Sequence, residues 1–111
     1  MVTDEAIRHF ADEIVRRYSP EKIILFGSHA RGKANEDSDV DILVMMDFPE
    51  RRGAYKAAEI EARIDPPFAL DLLVRRVADV QWHLDQNDCF MKDVIKEGVV
   101  LYDAAYETVA Q

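Results

Sequence analysis

Cysteine is nearly absent. The chain has one thiol, Cys89, among 111 residues, so no internal disulfide can form and the sequence reads as one made for a reducing cytosol. Glycine and proline are scarce as well, four of each, and no repeat, low-complexity stretch or interdomain linker stands out. No apolar run nears the ~20 residues that a membrane-crossing helix needs. The start, Met1-Val2-Thr3-Asp4-Glu5, is acidic, unlike the basic opening of a secretory signal. Positive charge is also short. Fourteen Lys and Arg face 22 Asp and Glu, a formal net charge of −8, which argues against a long nucleic-acid groove. A mononucleotide arriving with a metal ion is compatible with that balance. The hydrophobic share of 49% is ordinary for a globular protein and leads us to expect one domain, residues 1–111, around one core.

What is present centres on Phe26-Gly27-Ser28-His29-Ala30-Arg31-Gly32 and on Ser38-Asp39-Val40-Asp41-Ile42-Leu43-Val44. Ile23-Ile24-Leu25-Phe26 reads as a short buried strand that stops at Gly27. Ser28 is expected to cap a short helix, whose free N–H groups and dipole would suit a phosphate. Asp39 and Asp41 then open a second strand, and residues i and i+2 of a strand share a face. Two such carboxylates can converge on one hard cation such as Mg²⁺, which takes oxygen ligands and is completed by substrate phosphates. A phosphate cradle beside paired carboxylates is the equipment for metal-assisted phosphoryl or nucleotidyl transfer.

Gly27-Ser28, ten intervening residues, and Asp39-Val40-Asp41 resemble the signature of the DNA polymerase β-like nucleotidyltransferases. The longer string, Gly-Ser-His-Ala-Arg-Gly through Ser-Asp-Val-Asp-Ile-Leu-Val, is similar to the minimal nucleotidyltransferase (MNT) branch, as is the later Glu97-Gly98-Val99-Val100-Leu101-Tyr102. The resemblance spans nearly the whole chain.

Taken in order, residues 4–18 read as an amphipathic helix capped by Thr3 or Asp4, with Ile7, Phe10, Ile14, Val15 and Tyr18 on one side and Ser19-Pro20 as its stop. His9 reads as a helix-surface histidine. A strand over 22–26 precedes the phosphate turn, and 33–38 form a polar loop. Lys33 reads as solvated; Arg31 either touches a polyphosphate or braces the loop. In the strand 39–46, Val40, Ile42, Val44 and Met46 should bury against helices, leaving Asp39 and Asp41 on the open side. A helix over 51–64 starts with the basic Arg51, Arg52 and Lys56, which read as a solvated face rather than as the alternative, a phosphate or partner contact. A strand over 68–74 follows, then helices over 76–85 and 88–97 with Val77, Trp82 and Phe90 among their core or interface residues. Partial core burial is the expectation for Trp82. A last strand over 99–103 leads into a frayed helix or tail to Gln111.

Asp71 interrupts the otherwise apolar run from Phe68 to Val74. A lone carboxylate in a core strand is costly unless paired or metal-bound. Asp71 therefore either joins Asp39 and Asp41 on the open face or pairs with an arginine such as Arg31 or Arg75.

The expected fold is α/β: a small mixed β-sheet with helices packed on one face and the carboxylates on the other. The resemblance implies that this is a polymerase β-like palm. It also implies that Gly27 and Ser28, with Arg31 nearby, hold the phosphates of ATP, and that Asp39, Asp41 and Asp71 are catalytic and bind two Mg²⁺ ions. The implied reaction moves AMP to an acceptor hydroxyl and releases pyrophosphate. MNT proteins are typically paired with a helical HEPN protein, often as the antitoxin of a toxin–antitoxin system, and some transfer AMP to a tyrosine of the toxin. Protein AMPylation in the cytoplasm is therefore the leading expectation. Two alternatives stand beside it: a small-molecule (aminoglycoside-like) nucleotidyltransferase, acting at a homo-oligomer or partner interface, and a non-catalytic antitoxin that occludes a HEPN partner.

Overall fold

In a computed structural model, which describes residues 2–109, four strands form one mixed sheet in the order β3-β2-β1-β4. The elements run α1 (Asp4–Tyr18), β1 (Lys22–Phe26), α2 (Gly27–Ala30), β2 (Val40–Met45), α3 (Gly53–Ile64), β3 (Leu70–Arg75), α4 (Val77–Asp85), α5 (Cys89–Glu97), β4 (Val99–Asp103) and α6 (Ala104–Val109). Residues 110 and 111, the end of the expected tail, lie outside the described residues. No described helix is long and apolar enough to cross a membrane.

Local signals explain most of these bounds. Thr3 caps α1 by accepting from the Ala6 N–H at 3.1 Å, and Ser19 ends it in the left-handed region at φ 47°. Arg16 and Arg17 both pair with Glu13. Strand β1 lies antiparallel to β2 and to β4, whereas β3 is parallel to β2. A parallel neighbour requires a crossover, and α3 provides it.

Each face of the sheet has its own core. On one face Ile23, Leu25, Val40, Ile42, Val44, Leu72 and Val74 pack under α1 and α3, against Ile7, Phe10, Ile14 and Ile60. This is the helix-covered face that the alternation in 39–46 predicts. The opposite face is only partly open. Ile24, Phe26, Leu43 and Met45 are buried there under Val80 of α4 and Met91 and Val94 of α5. The helical layer thus extends onto the carboxylate side, because two short helices with few apolar residues suffice to cover the middle of a small sheet.

Three further expectations change. Trp82 is 58% exposed and does not enter the core; α4 turns Val80 inward instead. Lys56 does not belong to a solvated basic face. It is buried, and its ammonium bonds Glu50 at 3.0 Å and Glu59 at 3.2 Å. Ser28 does not cap α2. The helix begins one residue earlier, at Gly27, and has no side-chain cap.

Asp88 caps α5, one carboxylate oxygen accepting from the Met91 N–H at 2.9 Å and the other meeting His83 Nδ1 at 3.0 Å. The Met91 N–H, and after it His83, hold this carboxyl below its ordinary value. A group lowered on folding adds stability above the unfolded carboxylate pKa of ~3.9 and loses it as pH falls through the folded value. We expect Asp88→Ala to lower the urea midpoint at neutral pH. The gap from the native chain should close as the pH drops below ~3.9, as read by urea melts across pH.

Candidate active site

The sheet topology gathers one end of three strands. Because β1 and β2 are antiparallel, the end of β1 meets the start of β2, and Phe26 stands opposite Asp41. Because β2 and β3 are parallel, the starts of both strands lie together, and Asp41 stands opposite Asp71. Directly registered residues project to the same face, on strands roughly 4.8 Å apart. Asp41 and Asp71 are therefore neighbours on the side away from α1 and α3. Asp39 lies just before β2 and is exposed.

Gly27 lets the chain turn off β1 against these acids. Its φ is +72°, and a Cβ built there would fall 2.1 Å from Asp41 Oδ2. No side chain fits between the turn and the carboxylate. The short α2 follows, and Gly32 at φ +70° ends it. His29 Nε2 lies 3.4 Å from the Ser38 carbonyl oxygen, tying α2 to the loop that delivers Asp39. That loop is braced by Asn35 and Ser38, whose backbone and side chains bond one another.

A cavity of about 330 Å³ opens here, lined by Gly27, Arg31, Asp41 and Asp71 on the sheet side and by Phe90, Asp93 and Glu97 of α5 on the other. Ser28 and Asp39 are not part of that lining. The α5 wall has no counterpart in the sequence reading. Asp93 and Glu97 have no role there, and the packing of Val94 and Met91 onto the sheet places them on the cavity wall. Arg31 pairs with Glu97 at 3.8 Å. Among the described residues no arginine or lysine pairs with Asp39, Asp41 or Asp71, which excludes Arg31 and Arg75 as ion-pair partners of Asp71. Burial pushes the Asp41 carboxyl above its ordinary value, and the charges of Asp71 and Asp39 add to the rise; His29 and Arg31 pull the other way.

Residues 7–102 match the family model described as a nucleotidyltransferase domain. The chain belongs to the nucleotidyltransferase family. A protein of Thermococcus cleftensis named protein adenylyltransferase MntA is 37% identical over 97 residues, 85% of this chain and 81% of that protein. A putative protein adenylyltransferase of Methanocaldococcus jannaschii is 28% identical over 116 residues, covering 92% of this chain and all of that one. In fold, the chain is similar to a putative nucleotidyltransferase from Sulfolobus solfataricus, with TM-score 0.61, 20% identity, and coverage of 89% of this chain and 78% of that one. A toxin–antitoxin structure with AMP-PNP gives TM-score 0.54 at 22% identity, covering 86% and 73%. The expected α/β nucleotidyltransferase fold is thus observed.

This family implies a divalent metal. The donor chemistry suits one: Asp41 and Asp71 are adjacent hard-oxygen donors, and among the described residues no Lys or Arg forms an ion pair with either. The spacing is not that of a finished ligand set, since among the described residues no three His, Cys, Asp or Glu side chains are gathered closely enough to hold an ion. Asp39, exposed just before β2, is near enough for its charge to raise Asp41 but does not line the cavity.

Gly27→Ala tests the close turn. Its Cβ would collide with Asp41, and its left-handed backbone would cost about 1–2 kcal/mol. We expect a folded protein with a lower melting temperature and nucleotidyl transfer reduced by about 10², measured by initial rates beside a thermal melt.

Proposed function

We propose that the chain, as a single minimal nucleotidyltransferase domain, moves AMP from ATP to a tyrosine hydroxyl of a partner HEPN-domain toxin in the cytoplasm, and so acts as its antitoxin. The observation that carries this reading is the registered Asp41–Asp71 pair packed against the Gly27 turn on one wall of a single cavity. The relatives named protein adenylyltransferases support a protein as acceptor, and the toxin–antitoxin neighbour is in keeping with the biological setting.

In this reading the turn at Gly27 and Ser28 holds the terminal phosphates of ATP, with Arg31 within reach. Asp41, Asp71 and Asp39 would hold Mg²⁺, which would supply neutralising charge to the phosphate oxygens and so lower the barrier to attack. Asp71 accepts the proton of the acceptor hydroxyl at a carboxylate oxygen. The hydroxyl oxygen forms a bond to the α-phosphorus, the bond from that phosphorus to the bridging oxygen breaks, and pyrophosphate leaves. Positioning and electrostatics supply most of the catalysis.

A second reading is favoured by the α5 wall. Asp93 and Glu97 add negative charge opposite Asp41 and Asp71, which suits a cationic small-molecule acceptor of the aminoglycoside kind.

The test is intact-mass analysis of the protein encoded beside this chain, after incubation with this chain, ATP and Mg²⁺. We expect an added AMP mass that is lost with EDTA and lost in Asp39→Asn with Asp41→Asn. A stable complex without added mass in either sample would overturn the AMPylation reading in favour of a binding antitoxin. Neither complex nor mass, with AMP appearing on an aminoglycoside instead, would favour the second reading.

A further inference from the structure

At the opposite end of β3 from Asp71 lies a second cavity, of about 520 Å³, whose walls carry Arg51, Arg52, Arg75, Arg76 and Trp82. Arg75 is four residues beyond Asp71, roughly 13 Å along the strand. Close packing at Gly53 brings these residues together. A Cβ at Gly53 would fall 1.9 Å from the Val74 carbonyl oxygen and 3.3 Å from Arg75 Nη1. Any side chain there would push the start of α3, and with it Arg51 and Arg52, off the end of β3.

Arg76 is a fixed part of the frame. It donates to the carbonyls of Phe48 and Glu50, each at 2.9 Å, and stacks over the Phe48 ring at 4.0 Å. It also pairs with Asp47 at 3.6 Å and with Asp79, another wall residue, at 3.8 Å. The remaining three arginines differ. Among the described residues, Arg51, Arg52 and Arg75 have no carboxylate partner, in a chain with 22 acids and only 14 Lys and Arg. Arg75 Nη1 donates only to its neighbouring Val74 carbonyl, at 3.0 Å. His83, also on the wall, is engaged by Asp88. Like charges gathered in one cavity repel, and an anion relieves that repulsion; guanidinium forks match phosphate oxygens in geometry as well as charge.

Trp82 narrows the class of anion. Its indole, 58% exposed, stands on the wall of an arginine-rich cavity, and a flat base stacks on such a ring. We propose that this cavity is a second nucleotide site, taking a nucleoside monophosphate with its phosphate on Arg51, Arg52 and Arg75 and its base on Trp82. The volume is that of a small-ligand site, and a single nucleotide is compatible with a net charge of −8, as a long strand is not.

Trp82 is the only tryptophan, so its emission reports on the cavity directly. The probe is AMP, compared with inorganic phosphate, added to the Asp39→Asn, Asp41→Asn chain in EDTA, with excitation outside adenine absorption. We expect saturable quenching by AMP, with at least ~10-fold tighter binding than phosphate. Arg51→Gln with Arg52→Gln, both at exposed positions, should weaken AMP binding by about 10-fold or more and leave thermal melting unchanged. No saturable response to AMP would overturn the site, as would undiminished affinity in the double Gln variant. Equal affinity for AMP and phosphate would overturn the nucleoside assignment.

Discussion

The parallel pairing of β2 with β3 is the constraint on which the rest of the molecule turns. It sets Asp41 and Asp71 shoulder to shoulder; burial first, and then the charge of Asp71, raise the Asp41 carboxyl, against the opposing pull of His29 and Arg31. Folding must overcome that repulsion with apolar burial elsewhere. The sheet does so on both faces, with Val40, Ile42 and Val44 fully buried on one and Leu43 on the other. A sheet with a single core would have little to set against two uncompensated acids at its end.

The same pairing accounts for where the candidate site lies. Antiparallel β1 delivers the Gly27 turn to the entrance of β2, and the α3 crossover delivers Asp71 to the same place. The three segments that meet there are far apart in sequence, yet each is positioned by backbone hydrogen bonds of the ladder. Rigid placement of this kind is what phosphoryl chemistry needs, since most of its rate comes from geometry and charge.

Much of this could be read from residue order because the decisive signals are local. Phe26-Gly27 ends an apolar run abruptly, so β1 has the expected bounds, and the alternation from Val40 to Met46 names the buried face of β2. Asp71 declared itself by being the one acid in an apolar strand. What stayed illegible depends on which side of the sheet a helix lands. The periodicity of α4 and α5 picks out Val80, Met91 and Val94, but nothing local says that they cover the carboxylate face. For that reason Asp93 and Glu97 drew no notice, and Trp82 read as partly buried in the core. Lys56 went unrecognised as buried because its partners Glu50 and Glu59 matter only once α3 is docked. Ser28 failed as a cap because Gly27, free to adopt φ +72°, starts the turn before it. The arginine cavity combines residues some twenty positions apart, joined by the close approach at Gly53.

The ion pair between Arg31 and Glu97 has a consequence for how the first cavity is entered. It links the end of α2 to the end of α5 at 3.8 Å, with both side chains about half exposed. Such a surface pair contributes only about 0–1 kcal/mol. An anion arriving in the cavity competes with Glu97 for the same guanidinium, and the exchange demands little more than that sum. Entry is then controlled by substitution of one charge for another. The carboxylate set free at that moment turns its charge back on the cavity, so the occupant that displaces it must bring neutralising charge of its own.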